Sequence, residues 1–290
     1  MVQQKFSFFS FLKYLFITTF ALLIIYPMLH ILAVSMSDTL PVMQGSVTFY
    51  PIGLNFGGYK MILSATNIVP AYGNTLFYVF FHTILAMFVT TTGAYALSKG
   101  NRLWGYGVFM TMIVITMFFN GGMIPTYLTM KLYGLLNTRL LMILMGCVST
   151  YNLIVMKSFF QSLPKELEDA GKIDGLNDLG VLQRIMLPLS TAILTTIALF
   201  YAVAEWNSYM KPFIYLTDTA KYPVQVLLKQ MLIAGSTISQ EANALSGDSL
   251  VLGETLTNAT IIVSILPMII IYPFLQKYFA KGVMIGSLKG

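Results

Sequence analysis

An all-α integral membrane protein is the fold class this 290-residue sequence predicts, on three observations. Hydrophobic residues make up 57% of the chain and charged residues only 10%, with a mean hydropathy of +0.75. So little polar surface cannot cover a water-soluble globule of this size. Six apolar segments, at residues 14–35, 72–97, 104–124, 138–160, 188–212 and 255–277, reach the roughly 20 residues a helix needs to cross a bilayer. The charges that do occur gather in the intervening loops and at the termini. Helices are the natural spanning element because they satisfy their own backbone where no water can.

The first segment, Tyr14 to Ser35, follows Lys5 and Lys13, and Ala33-Val34-Ser35 has the small-residue form of a signal-peptide cleavage site. A secretory apolar core is only about 7 to 15 residues long, so the longer run reads as an uncleaved first span. The outer segment 36–71 carries the turn formers Pro51-Ile52-Gly53 and is long enough for short interfacial helices or loops. Asn120-Gly121-Gly122 interrupts the third span near its outer end, and Pro27, Pro267 and Pro273 fall inside spans, where kinks are common. His30 and His82 lie inside apolar spans and read as packing residues. The second long outer segment, 217–254, contains the turn former Ser246-Gly247-Asp248.

An even number of spans puts both termini on one side. Lys5, Lys13, Lys99, Arg102, Lys157, Lys165, Lys172, Arg184, Lys277, Lys281 and Lys289, eleven in all, lie on that side, against six (Lys60, Lys131, Arg139, Lys211, Lys221 and Lys229) on the other. Positive charge is retained on the cytoplasmic face, which predicts cytoplasmic termini. The net charge of +6 then reflects topology rather than a nucleic-acid partner, since no dense basic patch exists. One cysteine, Cys147, excludes an internal disulfide, and two histidines with one cysteine form no metal-ligand cluster.

The loop at 161–187 is the most charged stretch, with Lys165, Glu166, Glu168, Asp169, Lys172, Asp174, Asp178 and Arg184 close together. Pro164 suits the first turn of a helix, and Glu166, Glu168 and Asp169 complement its positive end. Leu163, Leu167, Ala170 and Asp174 fall at helical spacing, Asp174-Gly175 signals a turn, and Asn177 is placed to cap a second short helix running toward Pro188. Two short helices around a glycine bend fit either a projection that docks in another protein or an amphipathic loop on the headgroups. The residues alone leave both open.

Asp169-Ala170-Gly171, then Gly175, then Ile185-Met186-Leu187-Pro188 resembles the signature loop of bacterial ABC-importer membrane subunits: Glu-Ala-Ala, three residues, Gly, nine residues, Ile-x-Leu-Pro. The spacing matches without a gap. Asp169 stands where Glu is commonest and Gly171 replaces the second Ala, which weakens the helix by roughly 1 kcal/mol. Further stretches are similar to the carbohydrate branch of maltose-type permeases, and especially to subunits serving rhamnogalacturonan or alginate fragments. They are Phe119 through Leu128, Gly134-Leu135-Leu136-Asn137-Thr138, Ser158-Phe159-Phe160, and the tail Gln276-Lys277-Tyr278-Phe279 with Gly282-Val283-Met284-Ile285-Gly286.

The resemblance implies a single transmembrane domain over 1–290 with the type I importer fold of six spans, in the bacterial inner membrane. It implies that Glu166, Asp169, Ala170, Gly171, Asp174, Gly175, Leu187 and Pro188 belong to a cytoplasmic coupling helix and loop that engage an ATPase. It further implies a second homologous permease subunit, two cytoplasmic ATPase subunits, an extracytoplasmic solute-binding protein and an oligosaccharide substrate. No cofactor is expected in this chain, because it has no Gly-x-x-x-x-Gly-Lys-Ser/Thr loop. ATP and Mg²⁺ are expected on the partner ATPases, and no set of residues suggests that the chain is itself an enzyme.

For the translocation pathway the fifth span is the most informative. Thr191, Thr195, Ala198, Ala202, Glu205 and Tyr209 recur at three- or four-residue intervals, opposite Ile193, Ile197 and Phe200. An ionisable Glu205 at membrane depth needs either a cavity or a partner such as Lys211 or a neighbouring subunit. Trp206, Asn207 and Tyr209, with Asn120, are candidate sugar contacts, although aromatic residues also belt membrane interfaces. An importer for another solute, or a proton- or sodium-driven transporter, remains the alternative. The latter would want paired broken helices and intramembrane acids.

Overall fold

The computed structural model describes residues 8–64, 68–242, 254–270 and 272–273. The helices run α1 (Phe8–Ser35), α2 (Thr39–Met43), α3 (Gly57–Ser64), α4 (Ile68–Ser98), α5 (Tyr106–Phe118), α6 (Met123–Leu132), α7 (Arg139–Leu144) and α8 (Thr150–Ser162). They continue with α9 (Lys165–Ile173), α10 (Asp178–Val181), a π-helical turn (Leu182–Met186), α11 (Leu187–Leu189), α12 (Thr191–Trp206), α13 (Met210–Tyr215) and α14 (Val224–Ala242). The last is α15 (Glu254–Ile270). No strand occurs among the described residues, only an isolated bridge between Ser37 and Leu54. The tail residues that carry part of the family resemblance, and the turn at Ser246-Gly247-Asp248, lie outside the described residues.

The described chain divides into two compact units, one running to Val69 and resuming over Leu227–Met268, the other covering Pro70–Val226 and the residues from Ile269. In the first, α1 is apolar on every side, so lipid is its solvent; Phe16 and Leu23 are among its many exposed side chains. Its end is fixed by Ser37, whose hydroxyl donates to the Ala33 carbonyl at 2.6 Å and accepts from the Ile52 amide at 3.1 Å. Ala33, Val34, Val42 and Val47 form a small core there. The short helices α2 and α3 occupy the segment expected to hold such elements. Gly58 of α3 lies so close to α15 that a Cβ would sit 3.1 Å from the Thr255 carbonyl and 3.2 Å from Ala259.

In the second unit, α4 packs with α8, α12 and the π-helical turn through Ala86, Ala94, Leu153, Met156, Phe160, Val181, Met186 and Ile197. The third span is interrupted where its sequence indicated, and two segments that read as continuous are broken as well. After α5 the chain turns by 116° at Asn120-Gly121-Gly122 into α6. Residues Met145–Ser149 separate α7 from α8, with Gly146 at φ +86°, a conformation that excludes helical continuation. The fifth segment divides into α11, α12 and α13, with an 87° bend at Ser190. Helices α1 and α4 are each long and apolar enough to cross a bilayer unbroken.

Candidate functional site

The charged loop folds as two helical pieces around a glycine turn. Pro164 stands one residue before α9 rather than within its first turn, which spares the helix any missing amide donor. Gly175, at φ +81°, supplies the left-handed residue that ends α9. Asn177 caps α10 as expected, its side chain accepting from the Gly180 amide at 2.8 Å.

One face of α9 is tied down by charge. Lys99, the residue after α4, pairs with Glu168, whose carboxylate also accepts from Lys172 at 3.1 Å. Lys172 reaches Asp178 at 3.4 Å, joining α9 to α10. Lys99 is further held by the Tyr95 hydroxyl at 2.8 Å and stands 4.1 Å over that ring. Burial pushes the Glu168 carboxyl up, but Lys99 and Lys172 outweigh it and hold it below the ordinary carboxylate value. Gly171 is buried on the same face, where a Cβ would meet Ile185 Cδ1 at 2.5 Å and Val181 at 3.4 Å. Glycine at this position therefore lets α9 close on the π-helical turn.

The opposite face is free. Glu166, Asp169, Ala170 and Asp174 are exposed, and Ile173 is 86% exposed despite being apolar. The narrow face of Leu163, Leu167, Ala170 and Asp174 is exposed beyond Leu163. Instead Glu168 and Gly171 form the tethered side, because the cation of Lys99 and the close approach of Ile185 select the helix's rotation. Leu187 is partly buried against the core and Pro188 is exposed, at the junction of the loop with α12.

The tether makes a prediction. A depressed carboxylate contributes stability above its unfolded pKa, about 4.3, and loses it as pH falls through the lower folded value. Protection of α9 amides, corrected for intrinsic exchange, is therefore expected to hold from pH 7 to about 5 and to decline below about 4. Lys99→Met is expected to remove that protection at pH 7. Equal amide exchange in Lys99→Met and the parent would show that the pairing does not restrain the loop.

At the far end of α12, Glu205 and Lys211 pair at 2.5 Å, their side chains 7% and 14% exposed. Lys211 also donates to the carbonyls of Met142 at 3.0 Å and Met145 at 3.3 Å, at the end of α7. Trp206 is turned inward, 4% exposed, with its ring 6.3 Å from Tyr72. It is not presented for stacking on a sugar, because the helical rotation that sets Glu205 against Lys211 directs its neighbour into the unit. Asn207 is exposed, Tyr209 stacks on Phe213 at 5.2 Å, and Asn120 is exposed with its side-chain oxygen accepting from the Gly122 amide.

His82 is buried and bonds through Nδ1 to the Ile143 carbonyl at 2.9 Å; a carbonyl only accepts, so Nδ1 carries the proton. His30 bonds to the Thr48 carbonyl at 3.1 Å. Both have the packing role expected of them. Sequence reasoning missed Lys99 and Tyr201 as partners of the loop and of the α7–α8 break. Gly146 inside an apolar run was the one local signal of that break.

No family model matches the chain. It is similar to the polygalacturonan/rhamnogalacturonan transport system permease protein YtcP of Bacillus subtilis, with 39% identity covering 97% of this chain and 98% of the relative. Protein LplC of Bacillus subtilis is also 39% identical, covering 92% and 90% of the two chains. Among solved structures, a bacterial ABC transporter involved in the import of the acidic polysaccharide alginate matches with a TM-score of 0.85 and 35% identity, covering 96% and 99%.

The described residues are helical and strand-free, and the relatives are permeases, membrane subunits of transporters rather than their catalytic subunits. The chain is a member of the permease family of bacterial carbohydrate ABC transport systems.

Proposed function

We propose that this chain is one of two membrane subunits of a binding-protein-dependent importer that carries oligosaccharides into the bacterial cytoplasm. It crosses the membrane six times with both termini in the cytoplasm, in line with the eleven-to-six distribution of Lys and Arg. A second, homologous permease pairs with it to enclose the path. An extracytoplasmic binding protein delivers substrate, and two ATPase subunits bind ATP and Mg²⁺ and dock on the loops. The relatives' polysaccharide substrates support plant or algal oligosaccharides as the solute class.

The observation that carries this reading is the two-sided character of α9. One face is tied to the end of α4 through Lys99 and Glu168, and the other presents Glu166, Asp169, Ala170 and Ile173 to a partner. A partner that grips the free face moves the tied one with it. ATP-driven closure of the ATPases thus draws the loops together and rocks the helices from inward-facing to outward-facing. The 31-residue α4 transmits the motion across the bilayer.

Substrate-stimulated ATP hydrolysis by the reconstituted transporter tests this. Gly175→Asp strains the turn at φ +81°, and Asp169→Lys reverses a charge on the free face. Both are expected to abolish stimulation while the chain still inserts and folds. Transport that continues without any ATPase, or silent substitutions, would favour a proton- or sodium-driven transporter.

A further inference from the structure

The break between α7 and α8 leaves backbone polar groups without partners at membrane depth. The Ser149 amide donates to the Tyr201 hydroxyl at 3.0 Å, the Cys147 amide to the Leu144 carbonyl at 3.2 Å, and His82 and Lys211 satisfy Ile143, Met142 and Met145. The amides and carbonyls of Gly146 and Val148, and the carbonyl of Cys147, have no hydrogen-bond partner among the described residues. Gly146 is exposed and Val148 is 50% exposed, so these groups face outward from the unit.

Their depth follows from helix geometry. The 13 residues of α8 rise about 20 Å from the charged loop at 1.5 Å per residue, within a hydrocarbon core of about 30 Å. Two neighbouring breaks meet this level. Thr116, near the end of α5, lies 3.3 Å from Thr150 at the start of α8, four residues before Asn120-Gly121-Gly122. Lys211 brings the turn after α12, with exposed Asn207, against Met145.

Unsatisfied amides and carbonyls are not tolerated against lipid, where each costs several kcal/mol. A spanning helix of another subunit would not satisfy them either, since its own backbone is already paired. Water and the hydroxyls of a sugar both donate and accept, which is what a mixed row of free N–H and C=O groups requires. Resting on the importer reading above, we infer that Gly146–Val148, flanked by Asn120 and Asn207, lines the water-filled translocation path and offers backbone hydrogen bonds to polyhydroxylated solute.

The test is thiol accessibility in membrane vesicles carrying the whole transporter, in a Cys147→Ser background. The probe is the impermeant cation methanethiosulfonate ethyltrimethylammonium, which reacts with thiolate and hence only where water reaches. Val148→Cys, and Asn207→Cys should the first fail to fold, is expected to be modified an order of magnitude faster than the lipid-facing control Leu22→Cys. The rate is expected to change again when ATP and vanadate trap the transporter. Modification no faster than the control, or equal rates with and without trapping, overturns the inference. Because the probe reads water access rather than ATPase coupling, silent loop variants alongside a modified Val148→Cys would count against the ATP-driven reading alone.

Discussion

Lys211→Met is expected to destabilise the chain by about 3–5 kcal/mol, the cost of leaving one member of a buried ion pair alone. The change strands Glu205, only 7% exposed, and removes the donor that serves the Met142 and Met145 carbonyls. Glu205→Gln should cost less, about 1–2 kcal/mol, because its amide oxygen still accepts and Lys211 keeps two carbonyls. Combining the two should recover part of the loss, since neither charge then remains buried. Thermal unfolding of the detergent-purified transporter reads the order. A Lys211→Met variant no less stable than one with exposed Lys131→Ala would show that the pair carries no stability.

The second large effect is expected at Gly171. Gly171→Leu would place side-chain carbon where Ile185 Cδ1 and Val181 already sit, at 2.5 Å and 3.4 Å from the Cβ position. Overpacking of this kind costs about 1–3 kcal/mol and is relieved by displacement of the element. Here α9 would lift from the π-helical turn and from Lys99. ATP hydrolysis is then expected to lose its response to substrate while the membrane portion melts as before.

Gly171→Ala separates two effects. Alanine contributes roughly 1 kcal/mol to the helix, and the end of Ile185 is flexible enough to rotate away, so the net change should be small. Adding Ile185→Val makes room and should leave a net gain. A fully active Gly171→Leu transporter would mean that the closeness of α9 to the π-helical turn has no part in coupling.

Much of this was legible before the structure. The apolar runs, the Asn177 cap and the Gly175 turn depend on residues within a turn or two of one another, where periodicity and backbone preference act directly. The signature spacing from Asp169 to Pro188 identified the family, and the relatives bear that out. The pairing of Glu205 with Lys211 was one of several open possibilities, beside a cavity or a neighbouring subunit, and the sequence did not choose among them. The inward turn of Trp206 was not legible, because an aromatic beside a polar run reads equally as a belt, a ligand contact or a core residue.

What the sequence by itself determined is the solvent of this protein and the position of its charged loop, since both follow from composition and local spacing. The tertiary structure decided which face of α9 is held and which is free, and where the spans break. Lys99 meets Glu168, and Lys211 meets Met142, each across 69 residues of chain. No local pattern encodes such meetings. They are selected by packing, because a buried charge must find its counterpart and an interrupted helix must find donors and acceptors for its free backbone.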